Sequence, residues 1–169
     1  MNEYRITKYN PEFRNESDNY TKDEWTVFKQ IGDTFSGLVL TTDEYKRVED
    51  AYVQVALSFL RESGSSSLRV AGLENHQKQT LDFSNDQALE LDRIGEVIRP
   101  ILREEYWCRL EGNEAFLHFS SDYYMYIGVP HPCPKAEALA AELGLYVEEC
   151  ASPIRQSVAE RIAEDEANA

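Results

Sequence analysis

The sequence predicts one α+β domain, a mainly antiparallel sheet with helices packed on one face. Three observations lead there. Strand-like segments crowd the C-terminal half as a meander, two long amphipathic helices precede them, and no internal repeat breaks the order. A chain of 169 residues suits a single domain, here 1–169, and can bury most of its apolar surface without disulfides or metal.

The elements follow from local pattern. Glu3 to Tyr9 sets Tyr4, Ile6 and Lys8 against Arg5, Thr7 and Tyr9, a half-buried strand that Asn10-Pro11 stops. Residues 12–23 are polar and turn-rich and read as an ordered surface loop. Asp23 is placed to cap a short helix holding Trp25, Phe28 and Ile31, with Gly32 at its end. Ser36 to Leu40 reads as a second short strand. Thr41 or Thr42 then caps a long helix, and with Thr41 the side chain of Glu44 completes a capping box. Tyr45, Val48, Tyr52, Val55 and Phe59 make its apolar face, and Ser63 to Ser67 ends it.

Leu68 to Leu73 is strand-like, and a polar stretch leads to a second helix for which Ser84 and Gln87 supply a capping box. Leu91, Ile94, Ile98, Ile101 and Leu102 are its apolar stripe, which Pro100 should kink or interrupt. Glu105 to Glu111 and Ala115 to Ser120 form a hairpin about Gly112-Asn113. Asp122 to Val129 continues that strand through a bend or forms a third one. After the proline-rich 130–134, Lys135 to Leu143 is a short helix closed by Gly144, and Leu145 to Cys150 is a last strand. Pro153 starts a final helix whose acidic end, about 163–169, is expected to fray.

Charge narrows the function classes. Thirty-one acids against seventeen bases leave a net charge of −14, which repels phosphate backbones and favours basic partners. No nucleic-acid partner is expected. Nor is a membrane partner, since no run of about eighteen apolar residues occurs. MNEYRITKYN lacks a basic region followed by an apolar run, so a cytoplasmic protein is expected. The three cysteines, Cys108, Cys133 and Cys150, show no C-x-x-C spacing and read as reduced thiols.

Motifs for chemistry are sparse. Phosphate-cradling G-x-x-x-x-G-K and G-x-G-x-x-G are absent, as is G-x-S-x-G. His131, Cys133, Cys150 and His118 could ligate a metal, yet only H-x-C spacing appears, so no metal and no cofactor are expected. Adjacent acids such as Asp23-Glu24 and Glu104-Glu105 arise readily in so acidic a chain and read as a solvated face.

The segment DYYMYIG, 122–128, is the richest in implication. As a strand it places Asp122, Tyr124, Tyr126 and Gly128 on one face and Tyr123, Met125 and Ile127 on the other. The second set suits a core beneath helices. The first is either covered by the 12–23 loop or the last helix, or open as a tyrosine-rich binding face.

KYNP near the start, DEWT after it and DYYMYIG late in the chain resemble a group of small acidic bacterial immunity proteins associated with polymorphic toxin loci. The resemblance covers most of the chain as scattered motifs. It implies an inhibitor that neutralises a cognate basic toxin, such as a nuclease, by tight association, with no catalytic residue required.

The expected function is therefore an acidic inhibitor of a basic protein partner such as a toxin domain, itself a monomer or weak dimer and not an enzyme. Asp122, Tyr124 and Tyr126, with Asp23, Glu24 and Trp25, are the expected contact residues: acids to steer, aromatics to anchor. Two alternatives stand beside it. One is a small enzyme using His118 or His131 with Cys133, and the other is a homodimeric structural or regulatory module.

Overall fold

The structure is a computed structural model that describes residues 1–158. The final helix enters it only through its first turns, from Pro153, and the expected fraying of 163–169 lies outside the described residues. The fold is α+β: one seven-stranded antiparallel sheet with helices against one face.

The strands are β1 (Asn2–Thr7), β2 (Thr34–Phe35), β3 (Leu38–Val39), β4 (Ser67–Glu74), β5 (Ala88–Glu90), β6 (Trp107–Glu111), β7 (Phe116–Ser120), β8 (Tyr124–Val129) and β9 (Tyr146–Glu149). The helices are α1 (Thr42–Glu62), α2 (Leu91–Leu102) and α3 (Pro134–Glu142). The sheet order is β5-β4-β6-β7-β8-β1-β9, so the first strand is inserted between the late strands β8 and β9. Each neighbouring pair is antiparallel, with Ile6 opposite Met125 and Val147, and Leu117 opposite Ile127. The strand pair β2–β3 stands apart from this sheet.

The inner face buries Tyr4, Ile6, Met125, Ile127, Leu117, Leu110 and Val70 against the helices. The five apolar residues expected on α1 are all buried there, and Tyr4 packs on Phe59 with ring centroids 5.4 Å apart. Thr41 caps α1 by accepting from Glu44 N–H at 3.1 Å. The capping box is only half formed, because the Glu44 carboxylate turns outward to Arg47.

Long-range pairing overrode local pattern in several places. Asp23 caps no helix; it accepts from Ser36 N–H at 2.7 Å, and only Phe28–Gln30 forms a short 3-10 turn. The strand expected at 36–40 is a tight hairpin with Ser36-Gly37 at its bend. Ser84 and Gln87 do bond, Ser84 N–H to the Gln87 side chain at 3.2 Å, but the chain then runs as edge strand β5 before α2 begins at Leu91. Pro100 lies inside α2, which ends two residues later. Asp122 to Val129 does not prolong β7; β8 is a separate strand, after a turn at 121–123.

The outer face is covered in two patches. The 11–20 segment lies over Tyr124, where Arg5 pairs with Asp18 at 2.7 Å and Arg14 with Glu148 at 2.7 Å. The segment after β9 lies over Phe116 and His118: Ser152 Oγ is 2.8 Å from His118 Nδ1, and Arg155 stacks over the Phe116 ring.

Candidate functional site

The ends of three interior strands and the close of α2 meet at one end of the sheet. β7 ends at Ser120, β6 begins at Trp107 and β4 ends at Glu74, which pairs with Trp107 after a bulge. α2 stops with Glu104 in the left-handed region (φ 59°), which turns Glu104 and Glu105 out of the helix line. The β7–β8 turn puts both Asp122 (φ 60°) and Tyr123 (φ 63°) in that region. For a bulky residue that backbone costs roughly 1–2 kcal/mol.

Tyr123 is held there by its surroundings. Its ring meets Trp25 at 5.0 Å and Tyr52 at 5.5 Å, both edge-on. Its carbonyl accepts from Tyr52 OH at 2.6 Å. Its hydroxyl donates to Tyr45, which donates to Glu49 at 3.2 Å. Glu49 is 1% exposed and accepts from Arg103 Nε at 2.7 Å and Arg99 at 3.1 Å. A buried carboxylate needs such partners.

The resulting cleft is about 290 Å³. Its floor is apolar, with Ile101, Leu102, Tyr106, Trp107 and Phe119. Glu74, Glu104, Glu105 and Asp122 stand around it with His76, and no Lys or Arg lines it among the described residues. Thr26 and Val27 close one side, fixed by Gln30, whose side-chain oxygen accepts from both their N–H groups at 2.8 and 3.1 Å.

Thr26 and Asp122 also border a second cleft of about 520 Å³, lined by Tyr124, Tyr126, Glu24, Tyr20 and Asp18. Arg5 holds the Asp18 carboxyl below its ordinary range by hydrogen bonding. Tyr20, Lys22 and Glu24 in turn border a third cleft of about 560 Å³ beside the β2–β3 hairpin. Segment 20–27 thus joins three adjacent concavities, and Asp122 stands on the ridge between the first two.

The structure brings the six expected contact residues to this one region, with unequal access. Asp122 and Asp23 are exposed, and Glu24 and Tyr124 are half-buried. Trp25 is 5% and Tyr126 7% exposed, so neither is an open surface anchor. Of the two readings of the DYYMYIG outer face, covered or open, the covered one holds for Tyr126, while Tyr124 keeps partial access beneath the 11–20 segment. Here Trp25 is packed into the ring cluster with Tyr45 and Tyr123, and Tyr126 lies between Arg5 and His118 on neighbouring strands. Glu74, Glu104 and Glu105 were not singled out from sequence as a site. Nothing local marks them, since they converge only through the β4–β6 pairing and the left-handed turn after α2.

The residues of the enzyme alternative are not assembled. Cys133 is buried, its thiol donates to the Phe59 carbonyl at 3.8 Å, and burial pushes it up to about 11. His131 is exposed and faces its neighbour's carbonyl at 3.2 Å. His118 is fully buried between Ser152 and Glu111, at 2.8 and 2.9 Å, and lines none of the clefts above. Ser152 Oγ also accepts from Arg155 N–H at 3.4 Å, so this Ser–His–Glu row ties the final helix to the sheet. Among the described residues no group of three or more His, Cys, Asp or Glu is arranged to hold a metal ion. No described helix is long and apolar enough to cross a membrane.

Comparison with models of known families, with curated proteins and with solved structures gave no match.

Proposed function

We propose that this chain is an acidic inhibitor that neutralises a basic protein, an immunity-type protein acting on a cognate toxin. The observation that carries the reading is the cleft between β6, β7 and the end of α2. Four carboxylates stand around an aromatic floor with no cation among its described lining residues. A Lys or Arg side chain entering it would meet ring faces below and carboxylates above, a pairing that desolvated cations favour. The net charge of −14 would speed the encounter by steering a basic partner. Asp122, Tyr124 and Glu24 extend the contact along the adjoining cleft.

The test begins with capture of a basic protein from the native host on the tagged chain, then purification of that partner. Its own activity should disappear on adding the chain. Glu104→Lys and Asp122→Lys should each slow association by about ten-fold and flatten its salt dependence. Glu12→Lys, away from the clefts, should not. A partner whose activity persists in the complex overturns the inhibitor reading. Unchanged kinetics for both cleft variants overturns the site.

A further inference from the structure

The two edges of the sheet differ in what they leave open. β5 is three residues long and turns at once into α2. β9 is four residues long and closes the other side, with no strand beyond it among the described residues. Its register on β1 shows where its main-chain groups point. Cys150 N–H donates to the Glu3 carbonyl at 3.0 Å, and in the same ladder Arg5 faces Glu148 and Thr7 faces Tyr146. Bonded pairs alternate in an antiparallel ladder, so Cys150, Glu148 and Tyr146 turn their N–H and C=O groups to β1. Val147 and Glu149 turn theirs outward, where no described group bonds them. An edge with unpaired rungs is a template for a further strand.

The side chains beside these rungs select the charge of that strand. On the helix side Glu149 is exposed, and Glu137 of α3 is half-buried. Burial, then the charges of Glu137 and Glu149, raise the Tyr4 hydroxyl, so both acids stand near that one group. Neither forms an ion pair among the described residues, whereas Glu148 is taken by Arg5 and Arg14. On the other side Tyr146 is 38% exposed. A second copy of the chain fits poorly: antiparallel pairing about the middle of β9 sets Glu148 against its own copy and doubles the acids at the edge. The sequence 159–169 suits it no better, with Glu160, Glu164, Asp165 and Glu166 against the single base Arg161.

We propose that the β9 edge takes an extended basic segment of the partner as an eighth, antiparallel strand. Its alternate residues are lysine or arginine toward Glu149 and Glu137, and apolar toward Tyr146. Antiparallel addition continues the pairing of every neighbouring pair in the sheet. Residues opposite Val147 and Glu149 share both their face and their bonded rungs, so the basic residues are the ones whose N–H groups bond β9. This deepens the basic-partner reading and rests on it for the nature of the partner. It uses a surface apart from the carboxylate-rimmed cleft, and peptides test it without that partner.

The experiment is amide-exchange and chemical-shift NMR of the whole chain. The probes are acetyl-(Lys-Val)3-amide, its glutamate counterpart, and two forms of the basic peptide N-methylated at every lysine or at every valine. In the chain alone the Val147 and Glu149 amides should exchange at least about ten-fold faster than those of Tyr146 and Glu148. The basic peptide should shift and slow them, less so as salt rises, and the acidic peptide should leave them unchanged. Methylation at lysine should abolish that protection, and methylation at valine should spare it. Glu149→Lys, at an exposed position, should weaken the basic peptide by about five-fold. Protection of Val147 and Glu149 in the chain alone overturns the proposal: growing with protein concentration it gives the edge to a second copy, and constant it gives the edge to this chain's own residues. A basic peptide that moves only the Trp107 indole also overturns it and leaves the inhibitor reading intact. Loss on valine methylation, or no effect at β9 up to about 5 mM peptide, overturns it too. Failure of the inhibitor reading shows instead in the partner's persisting activity, which these peptides do not touch.

Discussion

The two faces of the sheet are ordered by different forces, and β8 shows both. Toward the helices, Met125 and Ile127 lie in a dry core that continues into the rings of Tyr123, Trp25, Tyr45 and Tyr52. Among the described residues its one buried carboxylate, Glu49, is satisfied by Arg99, Arg103 and Tyr45. Toward the other side, Tyr124 lies under Arg5 and Arg14, whose charges are spent on Asp18 and Glu148. The inner face is held by buried apolar area and the outer face by paired charges whose arginine side chains are themselves largely covered, at 14% and 5% exposure, with Asp18 open to solvent. Buried apolar area is worth more per residue, because desolvating the two arginines offsets much of the Coulomb gain of their pairs.

That contrast is sharpest at the neighbouring tyrosines. Tyr123→Ala removes a buried ring and its hydroxyl relay and should lower unfolding free energy by about 3–5 kcal/mol. Tyr124→Ala, half-buried beneath ions, should cost about 1 kcal/mol. Equal losses in urea unfolding would break the comparison.

Gly128→Ala probes whether the outer face is as tightly packed where the final segment covers it. A Cβ there would lie 2.2 Å from Phe116 Cε1, and that ring is stacked on buried His118. The expected loss is about 2–3 kcal/mol. A loss near zero would mean that Phe116 swings aside and that the patch is loosely packed.

Lys8 tests the seam between the two regimes and should have the opposite sign. Burial lowers its ammonium from 10.5 to about 8, with Glu24 only partly offsetting it. Below pH 8 both folded and unfolded chains hold the proton, and the full burial penalty is present. Between pH 8 and 10.5 the unfolded chain binds more protons than the folded one, so stability from this group rises with pH. Lys8→Met should therefore stabilise by on the order of 1–3 kcal/mol at pH 7, with the gain shrinking through that window. Chemical denaturation of both proteins at pH 7 and pH 10 checks the sign.

The smallest effect is expected at Ser152. Ser152→Ala removes the cap of the final helix and its bond to His118, and should cost about 1 kcal/mol in thermal unfolding. A loss several times larger would show that the whole outer face depends on that contact.

Elements built from short-range rules were legible in the sequence. Thr41 and the stripe from Tyr45 to Phe59 gave α1 its start and its buried side, and Gly112-Asn113 gave the β6–β7 hairpin. Elements that depend on a distant partner were not. Residues 88–90 look like helix onset until Leu89 pairs with Leu68, and 36–40 looks like one strand until Leu38 pairs back with Phe35. The candidate site divides in the same way. Asp122 and Tyr124 were visible as a polar, tyrosine-rich run, whereas Glu74, Glu104 and Glu105 became a group only when β4 met β6.

By itself the sequence determined the α+β class, the amphipathic helix, the strand alternation and the charge of −14, because each depends on residue type and on spacing within a few positions. Tertiary structure alone decided that Trp25 and Tyr126 are buried, that four carboxylates share one cleft, and that Lys8 is buried beside Glu24 between two aromatic rings. Burial and convergence are set by which strands pair across more than a hundred residues, as when Tyr4 meets Ile127. Local propensity carries no information about such pairings.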